Sequence, residues 1–223
     1  MRNTLVFLAL LFVVGCASTP KTNQEKISIV EAQAWLTRYC SKPIDHEMAG
    51  SLVMKANTKE IKGQYPASLH FDANGPFQLE VTNIIGGTMV SIQGDPTQIS
   101  IQVPSKPKFN RAGVTSYMGI ETPILRQLLH GDLPCPTADF RKKMTVEGSK
   151  IVLSSENWKW NFERSTPESG DVPVKVTLVS PAGEPDSGIE MTVEDWDRTK
   201  NYAKKVAVKT PEGELKWSWR SRE

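Results

Sequence analysis

Asp72 to Val103 reads DANGPFQLEVTNIIGGTMVSIQGDPTQISIQV, and its period of two decides the fold. Phe77, Leu79 and Val81 alternate with Gln78, Glu80 and Thr82, and Ile99, Ile101 and Val103 alternate with Ser100 and Gln102. Successive side chains of an extended chain point to opposite faces, so these runs predict antiparallel strands with one dry and one wet face. Ala73-Asn74-Gly75-Pro76 and Gly94-Asp95-Pro96 supply turns beside them.

The same habit extends in both directions. Leu69 and Phe71 oppose Ser68 and His70 upstream. Downstream come Trp158, Trp160 and Phe162; Val174, Val176 and Leu178; Ile189, Met191 and Val193; Val206 and Val208; and Leu215, Trp217 and Trp219. Further turn signals lie at Pro181-Ala182-Gly183 and Glu212-Gly213. About ten or more strands joined by short turns predict a mainly β protein built on one extended, curved antiparallel sheet.

Two helices interrupt the pattern. Ser28-Ile29-Val30-Glu31 is a capping box, after which Ile29, Ala32, Leu36 and Tyr39 recur at helical spacing, predicting a helix over 29–40. Thr122 as N-cap, Pro123 at the first position and Gly131 past the end bracket a shorter helix. Its stripe is Ile124, Leu125, Leu128 and Leu129, with Arg126 and Gln127 turned outward. These helices are the covers available to the sheet's apolar face. Either the sheet curls shut and fills itself with side chains, or it stays half open and keeps room for an apolar ligand; composition is compatible with both.

At the N-terminus Arg2, the apolar stretch Leu5 to Val14 and small Gly15 read as a secretory signal. The stretch is about ten residues, whereas a span needs about 20. Val13-Val14-Gly15-Cys16 resembles the bacterial lipobox, which implies acylation of Cys16 and cleavage after Gly15. Residues 1–15 are thus expected as a lipoprotein signal peptide and 16–26 as lipid anchor and flexible tether, the polar run ASTPKTNQEK having no periodicity. Residues 27–223 form the folded domain. Two or more acyl chains hold a protein on a membrane stably, so the expectation is anchored, not spanning.

Charge and motifs narrow the function. Without Arg2, 26 of the 27 basic side chains face 25 acidic ones, so nucleic-acid binding has no electrostatic support. His46, His70 and His130 have no metal-ligand spacing, no nucleophile elbow or phosphate loop occurs, and no metal or cofactor is expected. Enzyme function is therefore unsupported. Asp186-Ser187-Gly188 reads as a turn. Ile84-Ile85 is unusual, because hairpin tips recruit Gly, Asn, Asp or Ser. Gly86 and Gly87 can take the positive torsions, leaving the isoleucines either outward or folded over the barrel mouth. Once Cys16 is acylated, Cys40 and Cys135 remain in an oxidising compartment at the ends of the two helices, which predicts a disulfide.

The stretch 72–103 resembles LolB, the outer-membrane lipoprotein receptor of Gram-negative bacteria. Phe77-x-Leu79-x-Val81 runs into Thr82-Asn83-Ile84-Ile85-Gly86, where that family carries a hairpin tip with a bulky aliphatic residue next to glycine. Gly119 to Gly131 resembles its short helix, and Asn157-Trp158-Lys159-Trp160 and Ile189 to Trp196 its later strands, so the likeness covers roughly residues 27 to 196. Asp197 to Glu223, long enough for an extra C-terminal hairpin, and the cysteines Cys40 and Cys135 depart from the family.

Resemblance to LolB, and to its soluble relative LolA, implies an incomplete half barrel lidded by both helices. It implies a concave face that takes lipoprotein acyl chains from a periplasmic LolA-like carrier and releases them into outer-membrane lipid. On that reading Leu69, Phe71, Phe77, Leu79, Val81, Ile99, Ile101, Leu125, Leu128, Trp158 and Trp160 line the cavity, and Ile84 and Ile85 touch acyl chains or bilayer. The tryptophans equally suit sheet packing. Ala17 after the cysteine favours the outer membrane, with a monomeric domain facing the periplasm. An envelope scaffold with a filled barrel that binds a protein partner, and a hydrolase with a dispersed site, are the readings from other classes. Replacing Cys16 with Ser removes the acyl acceptor, so the variant is expected as uncleaved precursor or soluble protein; recovery in the membrane pellet at wild-type mass would refute lipidation.

Overall fold

The computed structural model describes residues 27–40, 47–59, 61–72, 75–136, 144–154, 158–165, 171–179 and 188–223. Cys16 with the whole of 1–26, His46, and the turns at 73–74 and 181–187 lie outside them. In chain order the elements are α1 (Ile29–Cys40), β1 (Met48–Thr58), β2 (Lys62–Phe71), β3 (Phe77–Thr82), β4 (Thr88–Gly94), β5 (Ile99–Gln102), β6 (Arg111–Val114), β7 (Ser116–Tyr117), β8 (Ile120–Glu121), α2 (Thr122–His130), β9 (Met144–Glu147), β10 (Lys150–Ser154), β11 (Lys159–Arg164), β12 (Pro173–Val179), β13 (Ile189–Asp197), β14 (Tyr202–Thr210) and β15 (Gly213–Arg222).

Thirteen of these strands form one antiparallel sheet in the order β6-β5-β4-β3-β2-β1-β15-β14-β13-β12-β11-β10-β9, with β7 and β8 a separate two-stranded ribbon. Two meanders are therefore joined where β1 pairs with β15, Gly50 opposite Arg222 and Thr58 opposite Gly213. The free edges are β6 and β9, so the sheet is curved but not closed into a barrel. The chain between those edges carries α2, which lies on the concave side. Residues after Trp196 form β14 and β15, which stand at the centre of the sheet and not at its margin.

Alternation survives in the burial. Phe77, Leu79 and Val81, then Ile99, Ile101 and Val103, are buried, as are Trp160 and Phe162, Val176 and Leu178, Ile189 and Met191, Val206 and Val208, and Leu215, Trp217 and Trp219. Val174, Val193 and Trp158 are only half-buried.

The capping box of α1 is formed, Ser28 N–H donating to Glu31 Oε2 at 2.8 Å and Glu31 N–H to Ser28 Oγ at 3.2 Å. Its inward stripe is Ala32, Trp35, Leu36 and Tyr39, while Ile29 is exposed. The first turn starts beside the β9–β10 turn, where Ile27 N–H meets Gly148 O, and Ile27 is the buried anchor there. Trp35 packs edge-on against Phe162 and Tyr39 against Trp196, and both donate to the Asp171 carbonyl, so α1 covers the C-terminal half of the sheet.

For α2 the N-cap is Glu121, one residue before the expected Thr122, because Thr122 already has helical geometry and is fully buried. Gly131 takes the left-handed conformation (φ 84°), with Asp132 N–H donating to Gln127 O and Gly131 N–H to Leu128 O. Arg126 and Gln127 are not simply outward. Arg126 Nη2 donates to Gly75 O and its guanidinium lies 5.7 Å over Phe71, and Gln127 Oε1 accepts from Cys135 N–H. Cys40 and Cys135 are disulfide-bonded with Cα atoms 5.5 Å apart, tying the end of α1 to the segment after α2.

The join of the two meanders depends on Gly50. A Cβ there would lie 2.8 Å from the Trp219 ring and closer still to Ser221 O. Gly50→Val is expected to destabilise by about 1–3 kcal/mol through overpacking, read by urea unfolding with the disulfide intact; unchanged stability would show that β15 can retreat at no cost.

Candidate functional site

Antiparallel order puts the ends of β1, β3 and β5 and the beginnings of β2, β4, β6 and β15 at one end of the sheet. Apolar side chains at that end surround a cavity of about 340 Å³. Its walls are Met54, Ile61, Leu79, Val81, Val90, Ile92, Ile101, Val103, Phe109, Val114, Leu215 and Trp217 from the sheet and its turns, with Leu125 and Leu129 of α2 and Tyr117 and Met118 of the β7–β8 ribbon across from them. Arg111, Ser116 and Glu212 complete the lining and are exposed, so the cavity reaches solvent there. The volume sits at the low end of ligand pockets, about 300–1,000 Å³.

The polar groups around it are few. Arg111 Nη1 donates to the carbonyls of Lys108 (3.1 Å) and Asn110 (3.0 Å), which fixes the β5–β6 connection over the opening. Trp217 is buried, and its indole N–H has no acceptor among the described residues. A buried donor without a partner is uncommon, and a carbonyl oxygen of a bound molecule would satisfy it. The remaining lining is suited to hydrocarbon.

The β3–β4 turn stands at the same end. Asn83 organises it: its Oδ1 accepts from Ile85 N–H (3.0 Å) and Gly87 N–H (2.8 Å), and its backbone N–H donates to Gly87 O. Gly86 alone takes a positive φ, 86°; Gly87 does not. Ile84 and Ile85 are thereby held outward, 94% and 87% exposed, and do not fold over the mouth. Leaving each in water forgoes the roughly 1.5–3 kcal/mol that burying such a side chain provides.

Of the residues expected to line a cavity, Leu79, Val81, Ile101 and Leu125 do so together. Leu69, Phe71, Phe77, Ile99, Leu128 and Trp160 are buried elsewhere in the core, and Trp158 is half-buried with its indole N–H donating to Glu121 Oε1 (3.0 Å). Toward the opposite end of the sheet, ring side chains pack against one another. Phe71 stacks on Phe77 at 5.3 Å and meets His130 edge-on at 5.3 Å, and His130 Nδ1 lies 2.7 Å from Asp132 Oδ2. Arg222 covers the Tyr202 ring at 4.2 Å, and burial pushes its guanidinium pKa down against the opposing pull of Asp132. The same burial raises the pKa of the Tyr202 phenol.

Met54, Ile61, Val90 and Phe109 are not singled out by sequence, and Leu129 is read there as part of the α2 stripe but not as cavity lining. Met54 sits in β1, whose MAGSLVMKANT mixes small and polar residues among few large ones, and in β4 Met89 next to Val90 blurs the alternation with Ile92. No group of three or more His, Cys, Asp or Glu among the described residues is placed to hold a metal ion.

No protein-family model and no curated protein matches the sequence. Solved structures match its shape. A LolA-superfamily protein from Nitrosomonas europaea superposes with TM-score 0.53 at 11% identity, covering 86% of this chain and 92% of its own. A DUF1329-family protein from Desulfovibrio piger does so with TM-score 0.53 at 7% identity, covering 87% and 92%. At these identities the likeness is one of fold: the chain has the open, helix-covered antiparallel sheet of LolA-like proteins.

Val90 faces the cavity across from Val81 and can be enlarged into it. Val90→Phe is expected to abolish saturable binding of a fluorescent fatty-acid probe while keeping stability within about 1–3 kcal/mol of wild type; undiminished binding would mean that hydrocarbon sits elsewhere.

Proposed function

We propose that this chain is a membrane-anchored lipid-chain-binding protein that accepts lipoprotein acyl chains from a periplasmic carrier and passes them to the outer membrane. The observation that carries the reading is the apolar cavity at the sheet end that also bears Ile84 and Ile85. The LolA-like fold and the lipobox ending at Cys16 support it. Cys16 holds the domain on the membrane, and the ten residues Ala17 to Lys26 reach roughly 33 Å when extended, which keeps it near the surface. Ile84 and Ile85 enter the apolar layer, and the chain leaves the cavity beside them.

The cavity volume suits one acyl chain. A cargo with several must widen it or leave the others outside, and the Cys40–Cys135 bridge limits how far the segment after α2 can swing away from α1. A scaffold with a filled barrel would take up no hydrocarbon, so binding decides between the two readings.

The described sheet, both helices and the disulfide lie within residues 27–223, so the exported, disulfide-bonded chain 17–223 carries the whole described fold for solution assays. Such a chain is expected to bind a fluorescent fatty acid saturably, and Ile85→Glu to lower transfer of an acylated cargo to vesicles. Stability should move by less than about 0.5 kcal/mol, as for other exposed sites. Wild-type transfer by Ile85→Glu would remove the tip from the mechanism, and absence of any saturable signal would refute acyl binding.

A further inference from the structure

Resting on the acyl-binding reading, we infer that the cavity takes a single-chain zwitterionic lipid of the lysophosphatidylethanolamine class, its phosphate at Arg111 and its ammonium at Glu212. These two are the charged side chains of the cavity lining, both exposed, and the exposed Ser116 lines the same opening. Arg111 begins β6, a free edge of the sheet, whereas Glu212 lies in the turn between β14 and β15 at the sheet's centre. The curl of the sheet therefore brings opposite charges to one mouth. They form no ion pair with each other, and neither has a charged partner among the described residues.

Each charge is left in a form that suits a headgroup. Arg111 Nη1 donates to the carbonyls of Lys108 (3.1 Å) and Asn110 (3.0 Å), which leaves Nε and Nη2 without an acceptor among the described residues. Those two groups form the edge of a guanidinium that gives an oxyanion two parallel, charge-assisted bonds. Glu212 is tied through its backbone, whose N–H donates to Thr210 Oγ1 at 3.2 Å, while its carboxylate is open to accept from a primary ammonium. Opposite charges that share a mouth without pairing are bridged by a molecule that carries both. An uncharged monoacylglycerol leaves both charges unpaired, and an anionic headgroup meets Arg111 but is repelled by Glu212. A single chain also matches the cavity of about 340 Å³, and the Ser116 hydroxyl offers a partner to the glycerol hydroxyl of such a lipid.

The test titrates the exported chain 17–223 calorimetrically with three lauroyl probes below their micelle concentrations: monoacylglycerol, lysophosphatidylethanolamine and lysophosphatidylglycerol. At low ionic strength lysophosphatidylethanolamine is expected to bind about tenfold tighter than monoacylglycerol, each exposed ion pair contributing about threefold. The advantage should shrink as salt shortens the screening length. Lysophosphatidylglycerol, drawn by Arg111 and repelled by Glu212, should bind about as monoacylglycerol does. In Glu212→Lys the order should reverse, with lysophosphatidylglycerol the tightest and monoacylglycerol affinity and melting temperature kept. Because Arg111 also holds the connection between β5 and β6, Arg111→Gln is judged by the ratio of lysophosphatidylethanolamine to monoacylglycerol affinity, which should fall about threefold.

Equal binding of the three probes by wild type would overturn the headgroup inference and leave acyl binding standing. An unchanged order in Glu212→Lys would overturn the pairing of the ammonium with Glu212, and an unchanged ratio in Arg111→Gln that of the phosphate with Arg111. Glycerophosphoethanolamine binding as tightly as the lysolipid would show a site for the free headgroup and overturn the lipid assignment. Binding of none of the probes would overturn the acyl reading itself, and this inference with it.

Discussion

The pairing of β1 with β15 is the constraint on which the rest of the structure depends. Each meander alone is an open sheet with an apolar face and two edges. Joined through the register from Gly50–Arg222 to Thr58–Gly213, they make one sheet whose apolar face curls on itself. The residues involved lie near the two ends of the folded domain, so the loop-closure entropy of this contact is large and it is reached late relative to the hairpins on either side. Gly50 is where the backbones come closest, and the Trp219 ring occupies the space a side chain would take. Once the join exists, β6 and β9 become the outer edges, and the chain between them must cross the concave side, which puts α2 over the cavity.

The concave face is filled unevenly, and the unevenness is what makes a site. Protein interiors pack to crystal-like density, and unfilled apolar volume forfeits dispersion contacts. On one side α1 inserts Trp35, Leu36 and Tyr39 against the C-terminal meander, and at one end Phe71, Phe77 and His130 close the space. At the other end Leu125 and Leu129 of α2 face Val81, Val90, Ile101 and Trp217 without meeting them fully, and about 340 Å³ stays empty. The disulfide and the bonds from Ala203 N–H to Gly131 O and from Arg126 to Gly75 O hold α2 at that height. Hydrocarbon entering the gap would recover the missing contacts.

Strand identity was legible because it is local: alternation in β3, β5, β11 and β15 survives as burial almost residue for residue. The capping box of α1 was legible for the same reason. What escaped depends on distant residues. β1 has Gly, Ala, Ser and Lys where an alternation would show, and its strand character comes from lying between β2 and β15. Phe77 and Val81 share a strand and a face, yet one is core and the other cavity wall; what separates them is the height along the strand relative to α2, which no period encodes. Thr122 looked like a cap by residue type, but burial against the sheet drew it into the first turn.

The tip and the cavity share their strands, and that gives the site a direction. β3 and β4 provide Leu79, Val81, Val90 and Ile92 to the wall and carry Ile84 and Ile85 beyond it, with Val81 opposite Val90 and Leu79 opposite Ile92 in one register. The Asn83 side chain accepts from two backbone N–H groups of the turn and Gly86 takes its positive φ, which sets the direction of the exposed isoleucines relative to the opening. Phe71, Phe77 and His130 pack together toward the other end of the same strands, while the cavity lies at the end that bears the tip. Water at that end meets two large exposed side chains, and the solvent that stabilises them is an apolar one. On the proposed function, a tip buried in such a layer would bring the opening of the cavity against it, and an acyl chain would pass between two apolar surroundings without crossing water.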